Sequence, residues 1–441
     1  MISEIGLPKS LSLDEKRDLL ASLLRTELQR TPPLEQAAGR VDEQLDRHRQ
    51  QFPALANKSY FNFGAHGTLP RQAIDAIHSS YEYMQQWGPF STEINEWAQQ
   101  EVNRTIACFA THLGVSTETI ALTENCTAGC NIVLWGIRWQ KGDHILLSDC
   151  ENPGIVAVVE EVARRFGLET STCSLLGTED QASALAEVAK GLRQNTRLVV
   201  LSHVLWNTGQ VLPLREIVDL CKSNGTRLLI DGAQSVGVLP LNLAKSGVDS
   251  YAFTSHKWLC GPEGVGGLFV SREMLEDLQP TFVGWRSVNI RKTDGAFSWQ
   301  PGARRFHQST SAYPLLAGMR SALAVHDDFE SAEKRYQRIV ALSLYLWEKL
   351  KRASDDEQTA AIQCLQTSSP ETGIVVVRLN GHDHQKAVYF LEAENCFARS
   401  MYDPLSLRFS LHYFTTFAEV DRLVELLQTY LSKSATLAWR T

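Results

Sequence analysis

No stretch of the 441 residues approaches the roughly 18 consecutive apolar residues that a membrane-spanning helix requires. The first thirty residues carry charges throughout and contain no apolar signal core, so the chain is expected in the cytoplasm, away from membranes. A basic excess is missing too. Lys and Arg number 43 against 50 Asp and Glu, for a net charge of −7, which excludes a broad cationic face for nucleic acid. None of the nine cysteines forms a CxxC pair. Scattered and odd in number, mostly in apolar contexts (Cys108, Cys173, Cys221, Cys260), they read as reduced core thiols. Cys126 and Cys130, four apart, are expected to stack on one helix face rather than to bind a metal. Internal repeats and low-complexity runs are absent.

The stretch Ser250–Gly267, SYAFTSHKWLCGPEGVGG, carries the strongest chemical signal. A short apolar strand runs into Thr254-Ser255-His256-Lys257, and a Gly/Pro-rich turn follows. A lysine at a strand end, flanked by hydroxyl residues and glycines, suits an amine that bonds covalently to a carbonyl. The hydroxyls can hold a phosphate, and glycines let the backbone approach a flat ring. Taken alone, such a lysine is more often a solvated turn residue. Upstream, Arg227-Leu-Leu-Ile-Asp231 reads as a buried strand ending on an acid, which is rare unless the acid has a partner. In open α/β sheets ligands sit beyond the carboxyl ends of the strands. Asp231 and Lys257 would share that edge, as a pyridoxal phosphate (PLP) site requires: an acid for the pyridine nitrogen and a lysine for the aldehyde.

Between residues 70 and 325 helical and strand patterns alternate. Helices are expected over 70–86, 92–112, 127–135, 153–166, 180–191 and 213–223, with strands over 119–122, 144–148, 168–173, 197–202, 227–231, 250–253 and 267–270. This alternation predicts an α/β fold with a mainly parallel central sheet covered by helices. Tyr60–Phe63 is expected as a short strand, and 281–315 as a long segment with little regular pattern. A long helix over 327–352 should lead to a small α+β C-terminal domain, with strands over 373–379, 396–401 and 407–413 and helices over 384–394 and 418–431. The expected organisation is an N-terminal helical extension (1–50), a large domain (51–325) and a small domain (326–441). Within the extension, residues 12–30 form an amphipathic helix: Ser12-Leu-Asp-Glu15 is a capping box and Leu19, Leu20, Leu23, Leu24 and Leu28 fall at helical spacing. Its leucine face would pack on the body or dock to a partner protein.

DGAQ at 231–234, followed by TSHKWLCGP at 254–262, resembles the class V aminotransferase family of fold-type I PLP enzymes. Further segments carry the likeness: YFNFGAHGTLP, IVLWGIRW, SHVLWNTGQVLPL, VGWRS and STSAYP. They are most similar to the cysteine/cystine C–S lyases of cyanobacterial type, and the likeness runs from about Tyr60 to about Leu431.

The resemblance implies pyridoxal 5'-phosphate as cofactor. It assigns the phosphate to Thr127, Ala128, Thr254 and His256, with Thr310 reaching the phosphate of a second subunit in a homodimer. On the residues alone Thr127 is equally an N-cap. Asp231 would meet the pyridine nitrogen, Gln234 the phenolic oxygen and Lys257 the aldehyde carbon. Asn152 stands where the family usually stacks a histidine on the ring, and it cannot handle a proton near neutrality. Arg399 and Arg408 would bind an amino-acid carboxylate, with Trp206 and Asn207 bordering the pocket. His66 is either a polar contact there or a plain loop histidine. No metal is implied. Desulfurases of the family need a nucleophilic cysteine on a loop near this arginine, and Arg399–Arg408 contains none; Cys396 reads as core. The expected reaction is therefore β-elimination of cysteine, cystine or an S-substituted cysteine to pyruvate, ammonia and a thiol or persulfide. The alternatives are a desulfurase-like or isopenicillin N epimerase-like enzyme, or a PLP lyase domain docked to a biosynthetic assembly through helix 12–30.

Overall fold

The computed structural model describes residues 43–290, 295–354 and 361–438. The helix expected over 12–30 lies outside the described residues. The described residues before His48 and those from His48 onward fall in different units, and every candidate site residue lies in the second.

The strand expected over Tyr60–Phe63 is shorter and earlier: β1 covers Ser59–Tyr60. The large sheet comprises β2 (Ile120–Thr123), β3 (His144–Ser148), β4 (Glu169–Cys173), β5 (Thr196–Ser202), β6 (Arg227–Asp231), β7 (Ser250–Thr254) and β8 (Gly266–Val270). Their order is β2-β8-β7-β6-β5-β3-β4. Strand β8 runs against both of its neighbours while β7, β6, β5, β3 and β4 pair in parallel, as the alternating pattern predicts. Alternate residues feed two separate cores. Leu146, Val199, Leu201, Leu228 and Ile230 pack on one face, and Ile145, Leu147, Leu198, Val200 and Leu229 on the other. Such strands are buried on both sides and read as unbroken apolar runs. The strand and helix bounds expected here fall within about two residues of those observed.

The second sheet contains β11 (Ile362–Cys364), β12 (Ile374–Leu379), β14 (Arg399–Tyr402) and β15 (Leu405–Ser410), in antiparallel order β11-β12-β15-β14. Its core gathers Val375, Val377, Leu407 and Phe409 with residues of the helices Ala332–Ser354 and Phe417–Ala438. Phe61 belongs to this core.

Four further expectations need correction. The segment 281–315 is not without pattern: β9 (Val288–Ile290) and β10 (Phe297–Trp299) pair as a hairpin, and a 3₁₀ turn covers Gly302–Phe306. The helix expected over 327–352 starts later, at Ala332, and runs to Ser354, and a second helix that was not expected, Tyr313–Asp327, precedes it. Arg335 stabilises the break by donating to the carbonyls of His326 and Glu330. The strand expected over 396–401 is two. β13 (Cys396–Phe397) pairs with β1, whereas β14 pairs with β15; one segment serves two sheets. Finally, the strand expected over 407–413 runs from Leu405 to Ser410.

Candidate active site

Asp231 ends β6, and Lys257 follows three residues after the end of the adjacent parallel strand β7. Both thus lie at the carboxyl edge of the sheet. Lys257 is half-buried. Burial draws its amine below the usual lysine range, Asp231 pulls the other way, and the Arg408 and Arg399 charges add to the lowering. Asp231 is held by two donors on one oxygen: the Ala233 N–H at 2.8 Å and the Cys126 thiol at 3.1 Å, both to Oδ1. Oδ2 has no hydrogen-bond partner among the described residues. Gln234 is fixed at both ends of its amide. Nε2 donates to the Gly64 carbonyl at 2.8 Å, and Oε1 accepts from Trp258 Nε1 at 2.9 Å; a second amide hydrogen stays free. Gly67 packs against the lysine peptide so closely that a Cβ there would lie 2.0 Å from the Lys257 carbonyl oxygen. Only glycine fits.

The expected phosphate ligands gather at two neighbouring points. Thr127 and Ala128 occupy the first turn of the helix Cys126–Gly136, where free N–H groups favour an anion. The cap of that helix is Asn125, not Thr127: Asn125 Oδ1 accepts the Ala128 N–H at 2.9 Å. Thr254 Oγ1 lies 2.7 Å from His256 Nδ1. Burial first, then the Lys257 and His66 charges, push His256 down to about 4, against a smaller opposing pull from Glu263. His66 lies beside it, with ring centroids 5.4 Å apart and Nε2 2.8 Å from Glu263 Oε1. Thr310 is not brought to this point. It lines a separate cleft of about 270 Å³ with Thr123, Glu124 and Gly264.

Asn152 is exposed and caps the helix Pro153–Phe166, its Oδ1 accepting the Gly154 N–H at 2.9 Å. The neighbouring Glu151 escaped the sequence reading. It is buried, accepts from Ser148 Oγ at 2.5 Å and from Ser202 N and Oγ at 3.1 and 2.7 Å, and burial raises its carboxyl to about 7. Only its place beside Asn152 could have flagged it.

The small domain supplies the other wall. Arg408 is 1% exposed, yet only Nη1 finds an acceptor, the Trp206 carbonyl at 2.9 Å. Its Nε and Nη2 are buried without partners, as are Trp206 Nε1, Asn207 Oδ1, Ser410 Oγ and Asn62 Oδ1. Arg399 lies directly opposite Arg408 across the β14–β15 pair, an arrangement that repels unless an anion intervenes. Burial, then the Arg399 charge, draw the Arg408 guanidinium down to about 9. A carboxylate placed there would relieve both effects. Gly64 joins this wall to the lysine side: a Cβ on it would lie 2.8 Å from Ser410 Oγ, 3.2 Å from Gln234 Oε1 and 3.4 Å from Arg408 Cζ.

A mostly parallel sheet with a lysine and an aspartate at its carboxyl edge, closed by a small domain, defines a fold-type I enzyme. The chain belongs to the class V aminotransferase family, whose profile matches residues 59–423. It is similar to the structure of the cystine C–S lyase C-DES in complex with its reaction product cysteine persulfide (44% identity, TM-score 0.82, covering 86% of this chain and 99% of that one). It is 31% identical over 394 residues to isopenicillin N epimerase of Streptomyces clavuligerus, covering 85% of this chain and 94% of the relative. To a cysteine desulfurase of Haloferax volcanii it is 24% identical, over 83% of this chain and 88% of the relative.

The residues fit PLP. Asp231 Oδ2 is available for a pyridinium N–H, Gln234 keeps an amide hydrogen for a phenolate, and Thr127, Thr254 and the helix start offer donors to a phosphate.

Proposed function

We propose that this PLP-dependent enzyme is a C–S lyase that β-eliminates cystine, cysteine or an S-substituted cysteine to pyruvate, ammonia and a persulfide or thiol. The observation carrying this reading is the buried Arg408 with two unpaired N–H groups, on a wall adjoining Lys257, beside a loop without cysteine. When bound, PLP withdraws the electron pair left at Cα. Arg408, with Arg399 at the rim, holds the substrate carboxylate and so fixes the Cα–H bond relative to Lys257. Lys257 Nζ, favoured in its neutral form by burial, takes the Cα proton. The Cβ–S bond then breaks and sulfur departs with the bonding pair; water completes release of pyruvate and ammonia. With PLP bound, Asp231, oriented through Oδ1, would keep the ring nitrogen protonated, and Asn152 would stand over the ring.

Cys396 supports elimination over desulfuration. It is fully buried, and burial holds its thiol up at about 12, so it offers no thiolate. Incubation with cystine should give pyruvate and ammonia in equal amounts; alanine as the main organic product would reject the reading in favour of a desulfurase. The 31% identity to an epimerase supports racemisation as a second reading. It shares proton removal by Lys257, and Cα deuterium exchange without pyruvate would identify it. The working form in this reading is a homodimer in which Thr310 completes the partner's phosphate site.

A further inference from the structure

Four consecutive carbonyls around Lys257 are each captured. That of His256 accepts the Gly67 N–H at 2.6 Å, and that of Lys257 the Cys260 N–H at 3.0 Å. The next two are taken by histidines from distant elements: Trp258 O by His412 Nε2 at 2.9 Å and Leu259 O by His326 Nε2 at 3.0 Å. Cys260, which closes this turn, has φ +48, a conformation that a cysteine adopts only when its surroundings impose it.

The proton positions on both rings follow from their partners. A carbonyl can only accept, so each Nε2 carries hydrogen. His412 Nδ1 accepts the Tyr413 N–H at 3.1 Å. His326 Nδ1 lies 2.7 Å from Tyr413 Oη, and that hydroxyl lies 2.8 Å from His48 Nε2. The hydrogen bonds therefore run one way, from His48 to Tyr413 to His326 to the Leu259 carbonyl. Such a chain is cooperative in a dry interior. All four side chains are at most 4% exposed. The rings also pack: His326 on His412 with centroids 5.5 Å apart, and His412 on Trp258 at 5.9 Å. Cys260 Sγ lies with nitrogens of both histidines within 4.8 Å. Because the nitrogens of both rings are already engaged, the trio serves as a hydrogen-bonded cluster rather than a metal site.

We propose that His326 and His412 are positioning residues for Lys257, holding its loop from behind through the Trp258 and Leu259 carbonyls. This rests on the assignment of Lys257 above, but not on which sulfur substrate is used. The same grip reaches Gln234, because Trp258 Nε1 donates to Gln234 Oε1. A small displacement of a catalytic amine costs rate rather than substrate affinity, since Arg408 is untouched by the change.

The test compares His412→Phe, His412→Gln and Tyr413→Phe as holoenzymes. Phenylalanine keeps the ring volume and removes the donor; glutamine restores an N–H. His412→Phe should lower kcat by about tenfold to a hundredfold with KM for cystine nearly unchanged, and should shift the pH midpoint of the cofactor's visible absorbance. His412→Gln should recover most of both. Tyr413→Phe, the mildest change, interrupts the chain that sets the His326 tautomer and should lower kcat several-fold. It decides the matter if His412→Phe yields no soluble protein. Unchanged kcat and absorbance titration in Tyr413→Phe and His412→Phe would overturn the proposal. So would a His412→Gln variant no better than His412→Phe, which would reduce the histidine to packing. A failure of the Lys257 assignment is separable: Lys257→Ala would then keep the absorbance band that reports its bond to the cofactor.

Discussion

Lys257 and Arg408 owe their expected chemistry to burial beside particular charges, and each can be tested singly. Lys257→Ala should lose the visible absorbance of lysine-bound cofactor and all measurable pyruvate formation; persistence of the band would reassign the lysine. Arg408→Ala removes charge-assisted hydrogen bonds worth roughly 1.5–3 kcal/mol each. Its kcat/KM for cystine should fall at least about a hundredfold, mostly through KM, and steady-state kinetics across cystine concentrations reads this directly. Cys396→Ser is the control. Its thiol is buried away from chemistry, so turnover should remain within a factor of about two to three, whereas a desulfurase dependent on it would lose orders of magnitude.

At the scale of elements, the helix Cys126–Gly136 links both ends of the proposed cofactor site. Its first turn would face the cofactor's phosphate, and its first residue, Cys126, donates to Asp231. Burial raises the Cys126 thiol well above its ordinary range, so it remains a donor rather than a nucleophile. Asn125→Ala should cost about 1 kcal/mol of cap stability and lower the thermal midpoint of the apoprotein by about 1–2 °C, with weaker PLP retention on dialysis. Most strands and helices of the large sheet were legible because β3, β5, β6 and β7 are short apolar runs bounded by polar turns. The split at 398 was not. Cys396–Phe397 and Arg399–Tyr402 have the same local character, and only their partners, β1 and β15, separate them. The phosphate loop was legible as a helix start, but the choice between Thr127 and Asn125 as cap depends on backbone geometry that composition does not encode.

Several histidines of the molecule are buried where a proton is disfavoured. Burial lowers His48 and His203 to about 4 and His412 to about 3, against an ordinary 6.5; the charges facing the His48–His412 cluster are Arg335 and its ion-pair partner Asp327. Above pH 6.5 folded and unfolded chains bind equal protons at these sites. Below it the unfolded chain takes up protons that the fold refuses, at about 1.4 kcal/mol per pH unit per histidine. Glu151, raised to about 7, opposes this, since it stays protonated in the fold while it ionises in the unfolded chain above its ordinary 4.5. His112, His256 and His307, lowered to about 4 as well, add to the three, so one acid against six histidines leaves a net loss. Thermal midpoints should therefore be level above about pH 7 and fall steadily toward pH 4.5; a level profile would show that water reaches the histidines. Phe282, Trp285, Ile290 and Phe297 are 58–63% exposed within one stretch of surface chain, a patch that suits a second copy. Light scattering should give twice the 49.3 kDa chain mass, and Trp285→Glu should shift it toward the monomer.

The sequence by itself determined the sheet, the lysine–aspartate edge and the family, because those signals are local: apolar runs, glycine turns and a strand end followed by Thr-Ser-His-Lys. It also brought Arg399 and Arg408 into one pocket, though only through resemblance. Tertiary structure alone decided which groups are left wanting a partner and which are held. Arg408 reaches the Trp206 carbonyl 202 residues away, and His412 the Trp258 carbonyl 154 residues away. Hydrogen bonds of that span depend on how the elements around the two sheets close on one another. No spacing along the chain records that closure, and it turns a turn lysine into one whose backbone is pinned on every side.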